Sequence, residues 1–146
     1  MPLPIEILVG TTAGNTEYLA AEIEQKLQAL GLETQFHDFP KLDEINLNAT
    51  FLLCIATHGA GEYAESIAEF MEQLEQLQPD LTHLNYALIA IGDSSYDTYC
   101  SAGIHANKLL QSLGAKEIAP MLTIDMMIAT EPEKIALEWI DQILWP

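Results

Sequence analysis

Three segments rich in glycine and hydroxyl side chains hold the residue types that bind polar, ring-containing ligands. They are residues 10–17, 57–63 and 92–100, and each follows a run of apolar residues. Hydroxyls and backbone N–H groups suit an anion, whereas tyrosines suit a flat ring. The three segments together therefore predict a site for a small organic ligand.

The first segment, residues 10–17, lies between a predicted strand and a predicted helix. Unpaired backbone N–H groups at a helix N-terminus favour an anion, and Gly14 permits close approach of the backbone. The segment has no GKS or GKT, which excludes the P-loop of nucleoside-triphosphate-binding proteins. It also lacks GxGxxG, the fingerprint of dinucleotide-binding proteins. With no cation nearby, a bound phosphate would be held by neutral dipoles. The alternative is a polar turn whose threonines cap the helix. The side-chain donors are Thr11, Thr12, Asn15 and Thr16.

The second segment, residues 57–63, contains Gly59 and Gly61 immediately after an apolar run. Two glycines there indicate close approach of a ligand or an unusual backbone dihedral. His58 has no second histidine at metal-ligand spacing, which argues against a zinc site. A lone loop histidine is more typical of a surface residue than of a catalyst.

The third segment, residues 92–100, combines tyrosines with an aspartate. A flat ring can stack on Tyr96, while Asp93 and backbone groups satisfy the polar edge of that ring. The alternative is a capped turn whose tyrosines pack onto the sheet, and for Tyr99 this is the favoured interpretation. Cys100 is predicted to be a small packed residue, because nothing nearby would lower the pKa of its thiol.

The elements that carry these segments alternate between apolar strands and amphipathic helices. The helix after Gly103 is predicted to end near Leu113, and Pro120 places the last strand at an edge. Five strand–helix units predict a three-layer α/β sandwich with a parallel five-stranded sheet of order 2-1-3-4-5. Such a sheet binds its ligand beyond the carboxyl ends of its strands, where all three segments lie. The predicted strands are residues 5–9, 33–38, 51–56, 86–91 and 117–124.

The charge of the chain restricts its partners. The 22 acidic residues face five lysines and no arginine, giving a formal net charge of −17. This charge argues against binding to nucleic acids and anionic membranes, but it suits a basic protein partner. The length of 146 residues predicts one domain, residues 1–146. Cys54 and Cys100 form no CxxC pair, so a reduced, cytoplasmic protein is expected, and the charge favours a monomer.

Taken together, the loops resemble those of the flavodoxin family over essentially the whole chain. The phosphate loop of that family reads T-x-T-G-N-T, and residues 11–16 depart from it only at Ala13. The family's G-D-S-S-Y loop, followed by an aromatic residue and cysteine, matches residues 92–100. The second segment has His58 where many flavodoxins have tryptophan. In this respect the segment is similar to that of a short-chain branch of the family.

The resemblance implies non-covalently bound FMN. Its phosphate would lie on residues 11–16, and its ring would lie between residues 57–62 and 92–100. Tyr96 would cover the outer face of the ring, His58 or Ala60 would border the inner face, and Asp93 would meet the pyrimidine edge. The implied cofactor-binding residues are Thr11, Thr12, Ala13, Gly14, Asn15, Thr16, Thr57, His58, Gly59, Ala60, Gly61, Gly92, Asp93, Tyr96, Tyr99 and Cys100.

The leading functional hypothesis is a one-electron shuttle, without a substrate site of its own, between a basic flavin reductase and an acceptor protein. An accessory or regulatory FMN protein is an alternative, as is a quinone reductase with its own nicotinamide site. A phosphorelay receiver domain shares the strand order, but it needs clustered acids where strand 1 ends in Val9-Gly10-Thr11. Residues 125–127 after the last strand are interpreted as a simple connector, with a place beside the ring or a partner as the alternative.

Overall fold

The computed structural model of the chain describes residues 4–11, 15–58 and 61–146. Among the helices in these residues, none is long and apolar enough to cross a membrane. The strands are β1 (Ile5–Gly10), β2 (Thr34–His37), β3 (Thr50–His58), β4 (Glu62–Tyr63), β5 (Asn85–Gly92), β6 (Lys116–Glu117) and β7 (Leu122–Asp125). The helices are α1 (Asn15–Ala29), α2 (Glu65–Leu77), α3 (Ser101–Ser112) and α4 (Pro132–Asp141), with a 3-10 turn at Leu42–Glu44.

The predicted parallel sheet is confirmed, with one difference at its edge. The strands run β2-β1-β3-β5, and both β6 and β7 pair with β5 in parallel. The fifth position is therefore two short strands, which lie on either side of Pro120, a residue that has no N–H to donate to the ladder. A further strand, β4, folds back antiparallel onto β3 and makes a hairpin that the apolar pattern did not predict.

The central strands are apolar on both sides because helices cover both faces of the sheet. Along β3, Leu52 and Cys54 pack in the core beneath α1 and α4, whereas Leu53 and Ile55 pack in the core beneath α2 and α3. All four side chains are completely buried. This alternation explains the continuous apolar run, and it leaves the strand ends and the loops after them to bind a ligand.

The helix ends agree with the sequence at some positions and not at others. Gly31 and Gly114 have φ of +87° and +98°, as expected for glycines that follow a helix. Helix α3 begins at Ser101, earlier than predicted, because the Thr57 hydroxyl accepts a hydrogen bond from the Ala102 N–H at 3.1 Å. The cap thus comes from a distant strand, where no local pattern reveals it.

Candidate functional site

A cavity of about 620 Å³ lies at the carboxyl ends of the parallel strands. Its volume falls within the roughly 300–1,000 Å³ of small-molecule sites. All three predicted loops contribute to its wall. The described lining residues are Thr11, Thr16, Tyr18, Leu19, Ala56, Thr57, His58, Ile91, Gly92, Asp93, Tyr96, Thr98, Tyr99, Met126, Pro132 and Glu133.

The first loop enters the cavity through two threonines. Thr11 follows β1 and Thr16 lies in the first turn of α1, where it is buried. The Ser66 hydroxyl in α2 accepts a hydrogen bond from the Thr11 N–H and donates one to the Val9 carbonyl, both at 2.8 Å. Ser66 thereby fixes the point where the chain leaves the sheet. Thr12, Ala13, Gly14 and the side chain of Asn15 lie outside the described residues.

The second loop forms the turn of the β3–β4 hairpin. Thr57 and His58 line the cavity, and the Gly61 N–H donates a hydrogen bond to the His58 carbonyl at 3.1 Å. Gly61 has φ of +103°, the backbone conformation for which a glycine was predicted. A Cβ added to Gly61 would lie 3.3 Å from Ser101 Cβ, so the turn packs closely against α3. Gly59 and Ala60 lie outside the described residues.

In the third loop, Tyr96 is 64% exposed while it lines the cavity. Its ring is therefore open to solvent beside the cavity, and its stacking on a flat ligand stays a prediction. Asp93 also lines the cavity, but its Oδ1 accepts hydrogen bonds from the Ser95 N–H at 2.9 Å and the Ser95 hydroxyl at 2.5 Å. This carboxylate oxygen stabilises the turn of its own loop, as in the capped turn that the sequence offered as an alternative.

The end of the third loop is packed tightly under the cavity floor. Gly92 lines the cavity, and a Cβ added there would meet the Cys100 backbone N at 2.7 Å. Cys100 itself is buried, and it is absent from the residues that line the cavity. Burial raises the pKa of its thiol, so it is a packed residue as predicted rather than a thiolate nucleophile. Tyr99 packs against the core, as the favoured interpretation predicted, and it also lines the cavity.

Residues 125–127, which end β7 and continue beyond it, include a residue of the cavity wall, so their interpretation as a simple connector was wrong. Met126 lines the cavity. Asp125 Oδ1 accepts hydrogen bonds from the backbone N–H groups of Ser94 and Met127, both at 3.0 Å. A hydrogen bond from the Ser94 side chain, and to a smaller extent those from the two backbone N–H groups, lower the pKa of Asp125 below its ordinary value, against an opposing effect of burial. Asp125 therefore ties the third loop to the edge of the sheet.

Helices α1 and α4 supply lining residues that the sequence analysis missed. Tyr18 and Leu19 come from the first turns of α1, and Pro132 and Glu133 begin α4. Tyr18 is 65% exposed despite its size. Its position one turn into the helix that follows the first loop was the available signal, because the first turn of such a helix faces the ligand edge of the sheet.

The residues that line the cavity fit FMN both in their chemical type and in their position around the cavity. Hydroxyl groups and the start of α1 provide donors for a phosphate without a formal cation, since none of the described lining residues is lysine or arginine. Tyr96 and Tyr99 provide aromatic surface on the third loop. Leu19, Ala56 and Ile91 supply apolar surface for a ring between these regions.

Comparisons with known proteins agree with this geometry. The family model for flavodoxin matches residues 7–139. The chain is 34% identical to the MioC homolog of Pasteurella multocida, over 99% of this chain and 98% of that protein. It is 32% identical to MioC of Escherichia coli K12, over 93% and 92% of the two chains. Its fold matches a cysteine-to-alanine mutant of flavodoxin from Pseudomonas aeruginosa with a TM-score of 0.89, at 29% identity over 96% and 95% of the chains. The chain therefore belongs to the flavodoxin family, whose members carry electrons on bound FMN.

Proposed function

We propose that residues 1–146 form a single cytoplasmic FMN domain that acts as a monomer, taking electrons from a basic flavin reductase and passing them to an acceptor protein. The observation that carries this proposal is the 620 Å³ cavity, which the hydroxyl-rich first loop and the tyrosine-bearing third loop both line. In this proposal the chain is a carrier without a substrate site of its own, so both the donor and the acceptor are separate proteins.

Each loop has a distinct role in the proposal. Residues 11–16 hold the phosphate through hydroxyls and backbone N–H groups at the start of α1. Residues 57–61 border one face of the ring, and Tyr96 stacks on the other. Residues 92–100 meet the polar edge of the ring through backbone groups, because Asp93 Oδ1 is already hydrogen-bonded within its loop. Bound FMN supplies the redox chemistry, while the chain binds and orients it.

The outer face of α2 supports a basic partner. Between Lys41 and Lys108 the chain has ten acidic residues and no basic one. Four of these acids are exposed on α2 at spacings of four, three and three, which is one face of a helix: Glu65, Glu69, Glu72 and Glu75. Among the described residues, none of the four pairs with a lysine. Their unpaired charge attracts a basic surface and accelerates its encounter with the flavin edge.

The first experiment measures FMN binding and follows the absorption spectrum during stepwise reduction. We expect a yellow complex that accepts electrons reversibly. Tyr96→Ala should weaken binding by about 1–3 kcal/mol, as for aromatic–base stacking, whereas Tyr96→Phe keeps the ring and most of the affinity. A purified protein that stays colourless with FMN, or a flavin that cannot be reduced, would contradict the carrier function.

The second experiment tests the acidic face. We expect Glu69→Lys/Glu72→Lys to slow reduction by a basic flavin reductase at low salt, with FMN affinity unchanged, and high salt to reduce the difference. Glu33→Lys/Glu117→Lys is the matched control, because it changes the net charge equally and both residues are exposed near the amino edge of the sheet, away from α2. Equal slowing by both variants would argue against docking on α2.

A third measurement separates the carrier from a catalytic flavoprotein. We expect no oxidation of NADPH by the FMN-loaded protein alone, and rapid electron uptake once a flavin reductase is added. Direct NADPH oxidation at comparable rates would instead indicate a nicotinamide site on this chain. If the bound flavin is reduced efficiently but no acceptor protein can reoxidise it, the accessory or regulatory alternative would be favoured.

A further inference from the structure

Tyr63 and His105 form a contact that lies outside the cavity but connects two of its walls. The Tyr63 hydroxyl and His105 Nδ1 are joined by a hydrogen bond, and the two rings meet edge to face with centroids 5.5 Å apart. Tyr63 is in β4 of the hairpin, and His105 is in α3. Neither residue is among those that line the cavity.

The outer strand of the hairpin is short, and its Tyr63 also packs against the core between the sheet and helices α2 and α3. Strand β4 has only two residues, and its register with β3 consists of Thr57 opposite Tyr63 and His58 opposite Glu62. A ladder this short is weak by itself, since isolated two-stranded hairpins are marginally stable. Side-chain contacts of the hairpin with its surroundings must therefore contribute to its position.

Three contacts of the hairpin reach the first turns of α3. The Thr57 hydroxyl accepts the Ala102 N–H, Gly61 packs against Ser101, and Tyr63 bonds His105. Residues 101 and 102 lie four and three positions before residue 105, so each is a neighbour of His105 on the helix surface. The hairpin is thus attached along one stripe of a rigid element.

The same end of α3 terminates the third loop. Cys100 immediately precedes the helix, and Tyr96 and Tyr99 lie in the loop before it. His58 on the hairpin and Tyr96 on this loop both line the cavity. Holding the hairpin against α3 therefore fixes one cavity wall relative to the other.

Burial, and secondly the charge of Glu75, raise the pKa of Tyr63. Its hydroxyl consequently keeps its proton across the physiological range and stays competent to donate a hydrogen bond. The residue is suited to a permanent attachment rather than to proton transfer.

We propose that Tyr63 and His105 are a positioning pair whose hydrogen bond holds the β3–β4 hairpin against α3, and so sets the place of His58 relative to Tyr96 across the flavin site. This inference rests on the proposed FMN binding. It adds two residues, remote from the flavin, that control the affinity and the reduction potentials of the cofactor.

The test compares Tyr63→Phe, His105→Leu and the double variant with the full-length parent protein. Each single variant should raise the FMN dissociation constant by about three- to tenfold, which corresponds to the loss of one hydrogen bond. Each should also shift the separation of the two one-electron potentials in the same direction. The double variant should be no worse than either single one, because both remove the same interaction. Without FMN, amide hydrogen exchange in residues 61–63 should accelerate.

Two matched variants separate positioning from general destabilisation. Tyr86→Phe removes the hydroxyl of another buried tyrosine that bonds to α3, at Asn107 Oδ1, and this tyrosine is near the start of β5 rather than in the hairpin. It should lower stability without moving the potentials or the hairpin exchange. His105→Asn retains an acceptor close to the position of Nδ1 and should restore near-parental values.

The outcomes distinguish this inference from the proposed function. If the parent protein binds no FMN, the proposed function fails. The positioning role is tested separately without FMN, and it is overturned if amide hydrogen exchange in the hairpin is the same in the variants as in the parent. If the parent binds FMN but Tyr63→Phe and His105→Leu leave affinity, potentials and exchange unchanged, only the positioning role is overturned. Additive effects of the two substitutions, or an equal shift in Tyr86→Phe, overturn it as well.

Discussion

The Asp125 carboxylate at the end of β7 accepts a hydrogen bond from the Ser94 N–H at 3.0 Å, joining residues 31 positions apart in the chain. The same oxygen accepts the Met127 N–H at 3.0 Å. One carboxylate therefore holds the start of the third loop and the turn that carries Met126 into the cavity. Two walls of the site depend on a side chain that does not itself line it.

Removal of this acceptor should loosen the third loop. We expect Asp125→Ala to weaken FMN binding, by less than about tenfold because the carboxylate is open to solvent. Asp125→Asn keeps an acceptor oxygen without the charge and should fall between the parent and the alanine variant. Fluorescence titration of FMN measures all three dissociation constants. Identical affinity in the parent and Asp125→Ala would show that the loop is held by its other contacts.

The lowered pKa of Asp125 also predicts a dependence of stability on pH. A carboxyl whose pKa is lower in the folded state stabilises the fold above its unfolded pKa, and this contribution is lost as the pH falls through the folded pKa. The parent should therefore be more stable than Asp125→Asn at neutral pH, and the difference should shrink below about pH 4. Urea unfolding at several pH values measures it. Asp80, whose pKa is lowered chiefly by hydrogen bonds from Thr82, titrates in both proteins and cancels in the difference.

A difference between the two proteins that stays constant down to the acid unfolding limit would mean that the charge of Asp125 does not contribute. A difference that grows as the pH falls would have the wrong sign for a lowered pKa. Either result would show that the charge of Asp125 does not stabilise the fold, even though its carboxylate accepts hydrogen bonds.

The architecture could be predicted because its signals are local and repeated. Residues 51–56 and 86–91 form uninterrupted apolar runs, and a strand covered on both faces requires such a run. Gly31 and Gly114 end helices through a backbone conformation that favours glycine. The order of the strands followed from the alternation of strands and helices, and the loops after them contained the distinctive residues.

The parts of the site that were missed depend on contacts between distant segments. Asp125 looked like part of a connector because its partner Ser94 belongs to another loop. The early start of α3 depends on Thr57, 45 positions before Ala102. Beside the site, the bond between Tyr63 and His105 joins residues that are 42 positions apart and carry no motif. A single sequence shows which residues are present, but it gives no signal for such pairs.

Ser66 offers a direct test of how the first loop is anchored. Ser66→Ala removes the acceptor of the Thr11 N–H and the donor to the Val9 carbonyl, both in a largely buried position. We expect a loss of about 1–3 kcal/mol in the free energy of unfolding, and weaker FMN binding at the phosphate end. Ser112→Ala is the control, because the Ser112 hydroxyl bonds the Leu109 carbonyl on the exposed side of α3. Similar losses in the two variants would show that Ser66 has no special structural role.

Gly92 tests the packing beneath the third loop, because it ends β5 at the cavity floor. An added Cβ would meet the Cys100 backbone N at 2.7 Å and Tyr99 Cδ1 at 3.0 Å, so the backbone of the loop has to move. We expect Gly92→Ala to cost about 1–3 kcal/mol of stability, as overpacking does, and to displace Tyr99 from the cavity wall. FMN affinity should fall as well, since the loop that carries Tyr96 shifts with it.

The matched control for Gly92→Ala is Gly92→Ala combined with Cys100→Ala. The second substitution removes the Sγ atom, which lies 3.1 Å from the added Cβ, but it leaves the backbone contact in place. If the backbone of Cys100 is the obstacle, the double variant should recover little of the lost affinity. Thermal unfolding and FMN titration of the two variants decide the question. Full recovery would identify the thiol as the cause, and it would show that the loop backbone tolerates a side chain at position 92.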